Sequence, residues 1–572
     1  MQVSTNDNED ASLPPEKKRI VAHPDDTVFA SGADVALYAP IDAYEGRHRY
    51  DPAAQWTAAE EQRLVRHLDW RITGWCCLMF FAMQLDRGNV SQALADGMLA
   101  DLGLSTDQYN TGMTLYYVCF LVAELPAQMI SKRLGPDVWI PMQMVAWSAV
   151  ACAQAALPGS SPSVFYATRS LLGMLEGGFV PDVVLYLSYF YKGRELPARL
   201  AAFWAAYVAT SIVSAFFAFG ILHLRGHGGH GGWTGWRWLF VIEGALTALI
   251  GVLSWFYLPA SPVQTGNAGR RGVFKLFSSS SKHVAAVSAA AEAASSWFTP
   301  REETILVNRI LRDDPGKGRM HNRQGLNLRR LATALADYDL WPVYLLGLTW
   351  AVPAAPAANY MTLNLKALGF DTFKTTLLTI PASVLFFLML LLWTWLSERG
   401  WSGRRGQPKD NSTNLRLVFV FLGQVYILPC LVALELLPDH AGPWSWYAAA
   451  VVLTGFPYVH PILVGFTSRN SGNIQTRTVS TALYNMAVQT SSIISSNIYR
   501  SYDAPHYRIG NKVLLALNAW NMLLIAFMFA YYPWRNRQKA RVWDAMSAEE
   551  KDAYIAETVD TGACRLDFRF AY

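Results

Sequence analysis

Apolar runs of membrane-spanning length recur about twelve times along this chain. They lie at Trp70–Asn89, Asn110–Ile130, Asp137–Leu157, Ser163–Tyr189, Leu200–Leu222 and Trp236–Leu258. After a long polar gap they resume at Leu340–Met361, Thr375–Leu396, Leu415–Leu436, Pro443–Phe466, Thr478–Ile498 and Val513–Trp534. Such runs cross a bilayer as helices, which satisfy their own backbone hydrogen bonds where no water reaches. The chain therefore reads as an all-α membrane protein with two six-helix halves. Composition agrees. Of 572 residues, 52% are hydrophobic and 16% charged, against about 25% charged in soluble domains. The net charge is only +5 and the basic residues sit in loops, which speaks against nucleic acid as a partner. The six cysteines show no CxxC or Cys/His spacing, so neither a disulfide framework nor a zinc site is expected.

The segments outside the spans define the other regions. Residues 1–56 are polar, lack the apolar core of a signal peptide and read as a disordered cytosolic tail. Residues 57–259 hold an amphipathic helix and the first six spans. Thr57 and Glu60 have capping-box spacing at the start of that helix. Residues 260–339 form a cytosolic linker, with a helix beginning at Pro300 and Arg301-Glu302-Glu303 in its first turn. Residues 340–534 form the second half, and 535–572 a cytosolic tail. Basic loops alternate with loops poor in Lys and Arg, as the positive-inside rule requires if both termini are cytosolic. The loop Arg500–Lys512 is the exception. His223, His227 and His230 lie in a Gly-rich loop whose ordering would cost too much entropy for a metal site. The sequon at Asn411 falls in a cytosolic loop and is expected to stay unmodified.

The informative residues are charges inside spans. The fourth span carries Arg169 and Glu176, seven residues apart and so on one helix face. Each costs about 2.5–3.5 kcal/mol near the bilayer centre, so such groups usually face a protein-lined path. Gly173 and Gly177 on the same helix form a GxxxG step that allows a close neighbour. The first span ends with Asp86, Arg87 and Asn89; the second carries Glu124 and the sixth Glu243, both read as structural or gating. Arg87 and Arg169 offer planar forks suited to a carboxylate or oxyanion. Asp86 and Glu176 can take up and release protons as an anion arrives and leaves. Asn485 and Gln489, one turn apart, are read both as substrate contacts and as helix–helix hydrogen bonders. Tyr116, Tyr117, Asn359 and Tyr360 are neutral side chains that could set selectivity, and His460 reads as an interior histidine.

These residues resemble a known family. The six–gap–six plan is that of the major facilitator superfamily, whose 12-span fold has a central cavity between its halves. LDRGNVSQA in the first span resembles the signature of the anion:cation symporters. The stretch from Ala167 to Arg199 resembles their fourth span and following loop. GWRWLFVIEGALTALIGVLSWFYLPASP is similar to their sixth span, and the region from Ser471 to Asn511 to the fungal allantoate permease subfamily. That subfamily takes up allantoate, nicotinate, pantothenate, biotin, cysteine, or sulfate and sulfonates. The resemblance implies a monomeric, proton-coupled symporter in the plasma membrane, importing a small organic or sulfur-containing anion by alternating access. Protons are the coupling ion, and no cofactor and no enzymatic activity are implied. It assigns Asp86 and Glu176 to proton coupling, Arg87 and Arg169 to binding and coupling, and Asn485 to substrate contact. It assigns gating to Arg133 and to Glu398 and Arg399 in the corresponding loops, although Lys132 stands where the usual acidic partner of Arg133 would be. A transporter-like nutrient receptor would call for a larger cytosolic domain. A proton-driven exporter of cations would call for cavity carboxylates without Arg87 and Arg169.

Overall fold

The computed structural model describes residues 39–570, apart from 43, 160, 193–194, 227–232, 266–295, 314–336, 400–415, 439, 472–473, 505, 558–564 and 567. His227, His230 and the Asn411 sequon lie outside the described residues. Twelve helical passes run back and forth. In the first half they are Gly74–Ala95, Thr106–Leu134, Pro136–Ala153, Pro162–Ser188, Leu196–Leu222 and Gly235–Tyr257. In the second half they are Trp341–Ala367, Thr372–Arg399, Arg416–Leu436, Pro443–Asn470, Ile474–Ser495 and Arg508–Ala545. Among the described residues, seven of these are long and apolar enough to cross a membrane by length and composition alone. The others are shorter, broken or polar. The seventh pass breaks around Pro353 and Pro356, and the tenth between Thr454 and His460 at Gly455 and Pro457.

The two halves repeat one packing plan. In the first half the first pass packs on the fifth, the second on the fourth and the third on the sixth. In the second half the seventh packs on the eleventh, the eighth on the tenth and the ninth on the twelfth. The halves meet where the second pass touches the eleventh, the fifth the eighth and the first the seventh.

The GxxxG step sets the tightest of these contacts. A Cβ on Gly173 would stand 2.2 Å from the Tyr116 carbonyl oxygen, and one on Gly177 would stand 2.3 Å from that of Phe120. The obstacle in each case is backbone, which cannot swing away. Gly173→Val is therefore expected to cost about 3 kcal/mol, the upper end of the overpacking range. Thermal unfolding of the purified variant should show a Tm lower by roughly 2–3 °C.

Hydrogen bonds between the halves gather at the end of the bundle away from the chain termini. Asn110 Nδ2 donates to the Tyr499 carbonyl at 2.9 Å, and Tyr360 donates its hydroxyl to Asn110 Oδ1. Asn497 Nδ2 reaches Thr114 Oγ1 at 2.7 Å, and Ser501 Oγ reaches Asp107 at 2.6 Å. Lys366 Nζ caps the Ala95 carbonyl at 2.5 Å. Arg500, from the basic exception among the loops, lies 3.8 Å from Asp107.

At the opposite end a polar clasp ties the linker helix Pro300–Asp313 to the first half. The Thr57 capping box forms as its spacing predicts, with Glu60 N donating to Thr57 Oγ1 at 3.2 Å and Thr57 N to Glu60 at 2.8 Å. Arg309, fully buried, pairs with Glu195 at 3.0 Å and Glu61 at 3.4 Å, and donates to the Phe190 carbonyl at 2.9 Å. Lys192 reaches Glu61 at 2.5 Å. Residues 39–56 depart from the expected disordered tail: they lie along this helix. Arg49 pairs with Glu303 at 2.9 Å, Asn308 bridges Asp51 N and the Arg49 carbonyl at 3.0 Å each, and Arg312 stacks 4.3 Å from the Trp56 ring. Their polarity is matched by partners on the linker, which composition alone does not reveal.

Breaking a buried ion pair from one side costs about 3–5 kcal/mol. Arg309→Met should therefore release the helix, and limited proteolysis should cut within 260–339 more than about tenfold faster. Acid should act the same way. Burial opposes ionisation of Glu61, but hydrogen bonds from Lys192 and Trp56 and the charges of Lys192 and Arg309 hold its carboxyl below the ordinary range. Its stabilisation is complete above the usual carboxylate pKa and is lost as pH falls through the lowered value.

Candidate functional site

Arg87 and Glu176 meet in the middle of the first half, with Asp86 and Arg169 buried elsewhere on the same two passes. Glu176 lies at the end of the first segment of the fourth pass, Pro162–Glu176, just before the break at Gly177 and Gly178. The parallel packing of the second pass on this helix puts Tyr116 beside it. Glu176 Oε2 accepts from Tyr116 Oη at 2.6 Å and from Arg87 Nε at 2.7 Å. One carboxylate oxygen thus joins the first, second and fourth passes. The Arg87 guanidinium also lies 4.8 Å from the Phe120 ring and 5.9 Å from that of Tyr116. Glu176 Oε1 and Arg87 Nη2 are buried without a hydrogen-bond partner among the described residues.

Arg169 stands two turns earlier on the fourth pass, about 10 Å away along the axis. It shares the buried face with Glu176 but does not pair with it. Only 2% of Arg169 is exposed, and its Nε and Nη2 have no hydrogen-bond partner among the described residues. Its guanidinium lies 5.3 Å from the Phe165 ring and 5.8 Å from the Phe240 ring. The polar groups that act on it are the hydroxyls of Tyr109, Tyr116 and Tyr117 and, at longer range, the Glu176 carboxylate. Aromatic faces give a cation a partial substitute for water, yet they accept no hydrogen bonds in the guanidinium plane. The arrangement is a buried cation with donors to spare.

Asp86 faces away from this group. Its Oδ2 accepts from Trp147 Nε1 of the third pass at 3.2 Å, and its Oδ1 has no partner among the described residues. Asp86 is thus enclosed in the middle of the first pass rather than at its edge, with Arg87 half-buried beside it. Asn89 is likewise buried.

The remaining expected residues are dispersed. Asn485 and Gln489 are half-buried on the eleventh pass. They lie three and two turns, respectively, before Ser496, which meets Thr114 of the first half at 3.5 Å. No hydrogen bond joins them to Arg87, Arg169 or Glu176 among the described residues. Asn359 is exposed, and Tyr360 belongs to the seal with Asn110 rather than to the charged group. His460 sits in an aromatic cage, its ring 5.4 Å from Trp204 and 5.6 Å from Tyr484. Arg133 is exposed at the end of the second pass. Glu398 and Arg399 end the eighth, their side chains outside the described residues. Sequence reasoning missed Trp147 and Asn110. Their signal was a polar atom in an apolar run, too common to single out.

A helical bundle of two matched halves, joined by hydrogen bonds at one end and holding buried charge at its middle, fits a membrane transporter. The comparisons agree. Residues 76–496 match the family model of the Major Facilitator Superfamily, and the chain belongs to that superfamily. An uncharacterized transporter of Saccharomyces cerevisiae is 39% identical over 529 residues, covering 92% of this chain and 90% of its own. A candidate tartrate transporter of Agrobacterium vitis is 33% identical over 202 residues, covering 35% of this chain and 45% of its own. Among solved structures, a xylose transporter of Escherichia coli in a partially occluded inward-open conformation superposes with a TM-score of 0.54. It is 13% identical and covers 81% of this chain and 97% of its own.

Proposed function

We propose that this transporter is a proton-coupled symporter that imports a small organic or sulfur-containing anion by alternating access. The observation that carries the reading is Arg169, a guanidinium 2% exposed whose Nε and Nη2 lack acceptors. A buried charge without its hydrogen bonds is costly. A carboxylate or sulfur oxyanion supplies two acceptors in the fork geometry that Arg presents. The relative described as a tartrate transporter supports an anionic substrate, since tartrate is a dicarboxylate.

Energetics call for a proton. An inside-negative potential opposes a monoanion by about 2.3 kcal/mol per 100 mV. One co-transported proton cancels that charge and adds about 1.4 kcal/mol per pH unit. Glu176 is the group to carry it. Protonation removes the ionic part of its bond to Arg87 and leaves that guanidinium available to the anion beside Arg169. Asp86 is the second proton-coupling group, and Asn485, Gln489, Tyr116 and Asn359 are the neutral contacts of the path. With both termini cytosolic in the plasma membrane, the Asn110–Tyr499 seal faces outward. Arg133, Glu398 and Arg399 then lie at the cytosolic gate. The unit is the monomer.

The test is uptake of labelled sulfate, taurine, allantoate, nicotinate and pantothenate by transporter-deficient yeast expressing the chain, at acidic and neutral pH. Acid-stimulated uptake of one of these anions supports the proposal. No uptake with the protein at the surface favours a receptor, and efflux of cations favours an exporter.

A further inference from the structure

We propose that Asp86 and Glu243 jointly hold a proton, forming a proton-binding site separate from the Glu176–Arg87–Tyr116 group. Two hydrogen bonds fix the antiparallel register of the first and sixth passes. Trp75 Nε1 donates to Ser254 Oγ at 2.8 Å, and Thr247 Oγ1 donates to the Ala82 carbonyl at 3.3 Å. Seven residues forward on one helix match seven back on the other. Another turn of four in the same sense brings Asp86 level with Glu243. Both are enclosed, Asp86 at 2% and Glu243 at 0% exposure. Both oxygens of Glu243 and Oδ1 of Asp86 lack a hydrogen-bond partner among the described residues, and the Thr247 hydroxyl is the polar group beside Asp86 on the sixth pass.

The surroundings offer no counter-charge. The third pass contributes Trp147, bonded to Asp86, and Cys152, whose Sγ faces the Val241 carbonyl at 3.7 Å. The fourth pass contributes Glu176, a like charge that acts on Asp86, and Arg169, whose guanidinium lies over Phe240 rather than against Glu243. The fifth contributes Ser214, beside Gly88, and Tyr207, which acts on Arg87. Arg87, next in sequence to Asp86, is committed to Glu176 at 2.7 Å. Neither Asp86 nor Glu243 has a cation within ion-pair distance among the described residues.

Two neighbouring carboxylates in a low-dielectric interior do not both stay ionised. One proton placed between them supplies the missing hydrogen bond and leaves the pair with a single negative charge. A second proton leaves it neutral. The titration belongs to the pair rather than to either residue. Because Asp86 and Glu176 act on each other, occupancy of this pair is felt at the Arg87–Glu176 bond. The inference deepens, and rests on, the reading of Asp86 as a proton-coupling group. It gives Glu243 a role that its sequence context left as structural.

The test needs no substrate. Infrared difference spectra of the purified full-length protein in lipid nanodiscs should show a protonated-carboxyl carbonyl band at neutral pH, shifted in heavy water. The band should be lost in Glu243→Gln, which keeps the side-chain shape. As a check that needs no variant, dicyclohexylcarbodiimide, which attacks protonated carboxyls in apolar surroundings, should label wild type at residue 243 or 86 by peptide mass spectrometry. A band lost in Glu243→Gln and equally in Asp86→Asn upholds the inference, and a band lost in only one of the two variants assigns the proton to that residue alone and overturns it. An unchanged acid-carbonyl region together with no label at either position overturns it. Acid-stimulated anion uptake in the face of that result would leave symport through Glu176 standing. A protonated pair without any anion uptake would overturn the symport reading alone.

Discussion

Arg169→Ala should abolish saturable anion uptake, with at least roughly a 100-fold loss at equal surface expression. Hydrogen bonds to a charged group contribute about 1.5–3 kcal/mol each, and the Arg169 fork offers two of them to an anion. Loss of about 3 kcal/mol is a little over 100-fold in affinity. Arg169→Lys should fall between, near a tenfold loss, because an ammonium keeps the charge but not the planar fork. Stability should move the other way. Alanine removes a buried charge whose Nε and Nη2 have no acceptors, so the variant should unfold at the same temperature as wild type or higher. Initial rates of labelled-anion uptake and thermal unfolding of the same preparations check both halves of this expectation. A purely structural Arg169 would lose uptake and stability together.

Glu176→Gln should abolish accumulation while leaving exchange. The amide oxygen of glutamine can still accept from Tyr116 Oη and Arg87 Nε, which stand 2.6 and 2.7 Å from the carboxylate oxygen. What it cannot do is bind and release a proton. A wild-type carrier moving one proton per monoanion should concentrate its anion about tenfold per pH unit when the membrane potential is clamped at zero. The variant should reach only the external concentration under the same gradient. Counterflow of labelled against unlabelled anion, which needs no net proton movement, should continue. The ratio of these two assays separates loss of coupling from loss of binding.

Much of this architecture was legible in the chain. The twelve apolar runs correspond to the twelve passes because backbone satisfaction in lipid leaves a helix no alternative. The capping box at Thr57 and the helix start at Pro300 are local devices, and both formed as read. Gly173 and Gly177 announced a close helix approach, and the backbone of Tyr116 and Phe120 fills it.

Pairing across helices was not legible. Helical spacing places Arg169 and Glu176 on one face, but two turns separate them, further than a side chain bridges comfortably. Glu176 instead takes Arg87 from another pass, a choice made by helix packing. Adjacent in sequence, Asp86 and Arg87 point to opposite neighbours because successive residues on a helix diverge by about 100°. Tyr360 illustrates the same limit. A tyrosine in a span reads equally as a path lining or as a seal, and only the approach of Asn110 from the other half decides it. Residues 39–56 looked disordered because their partners lie some 250 residues away on the linker helix.

The most direct measurement of the central claim is simultaneous proton and anion flux. The purified protein would be reconstituted into liposomes containing a pH-sensitive dye, with potassium and valinomycin holding the potential at zero. The labelled anion identified by uptake would then be added outside. The account predicts that anion entry acidifies the lumen, that an inward proton gradient drives accumulation, and that Arg169→Ala shows neither. Anion entry without luminal acidification, or accumulation indifferent to the gradient, would contradict it.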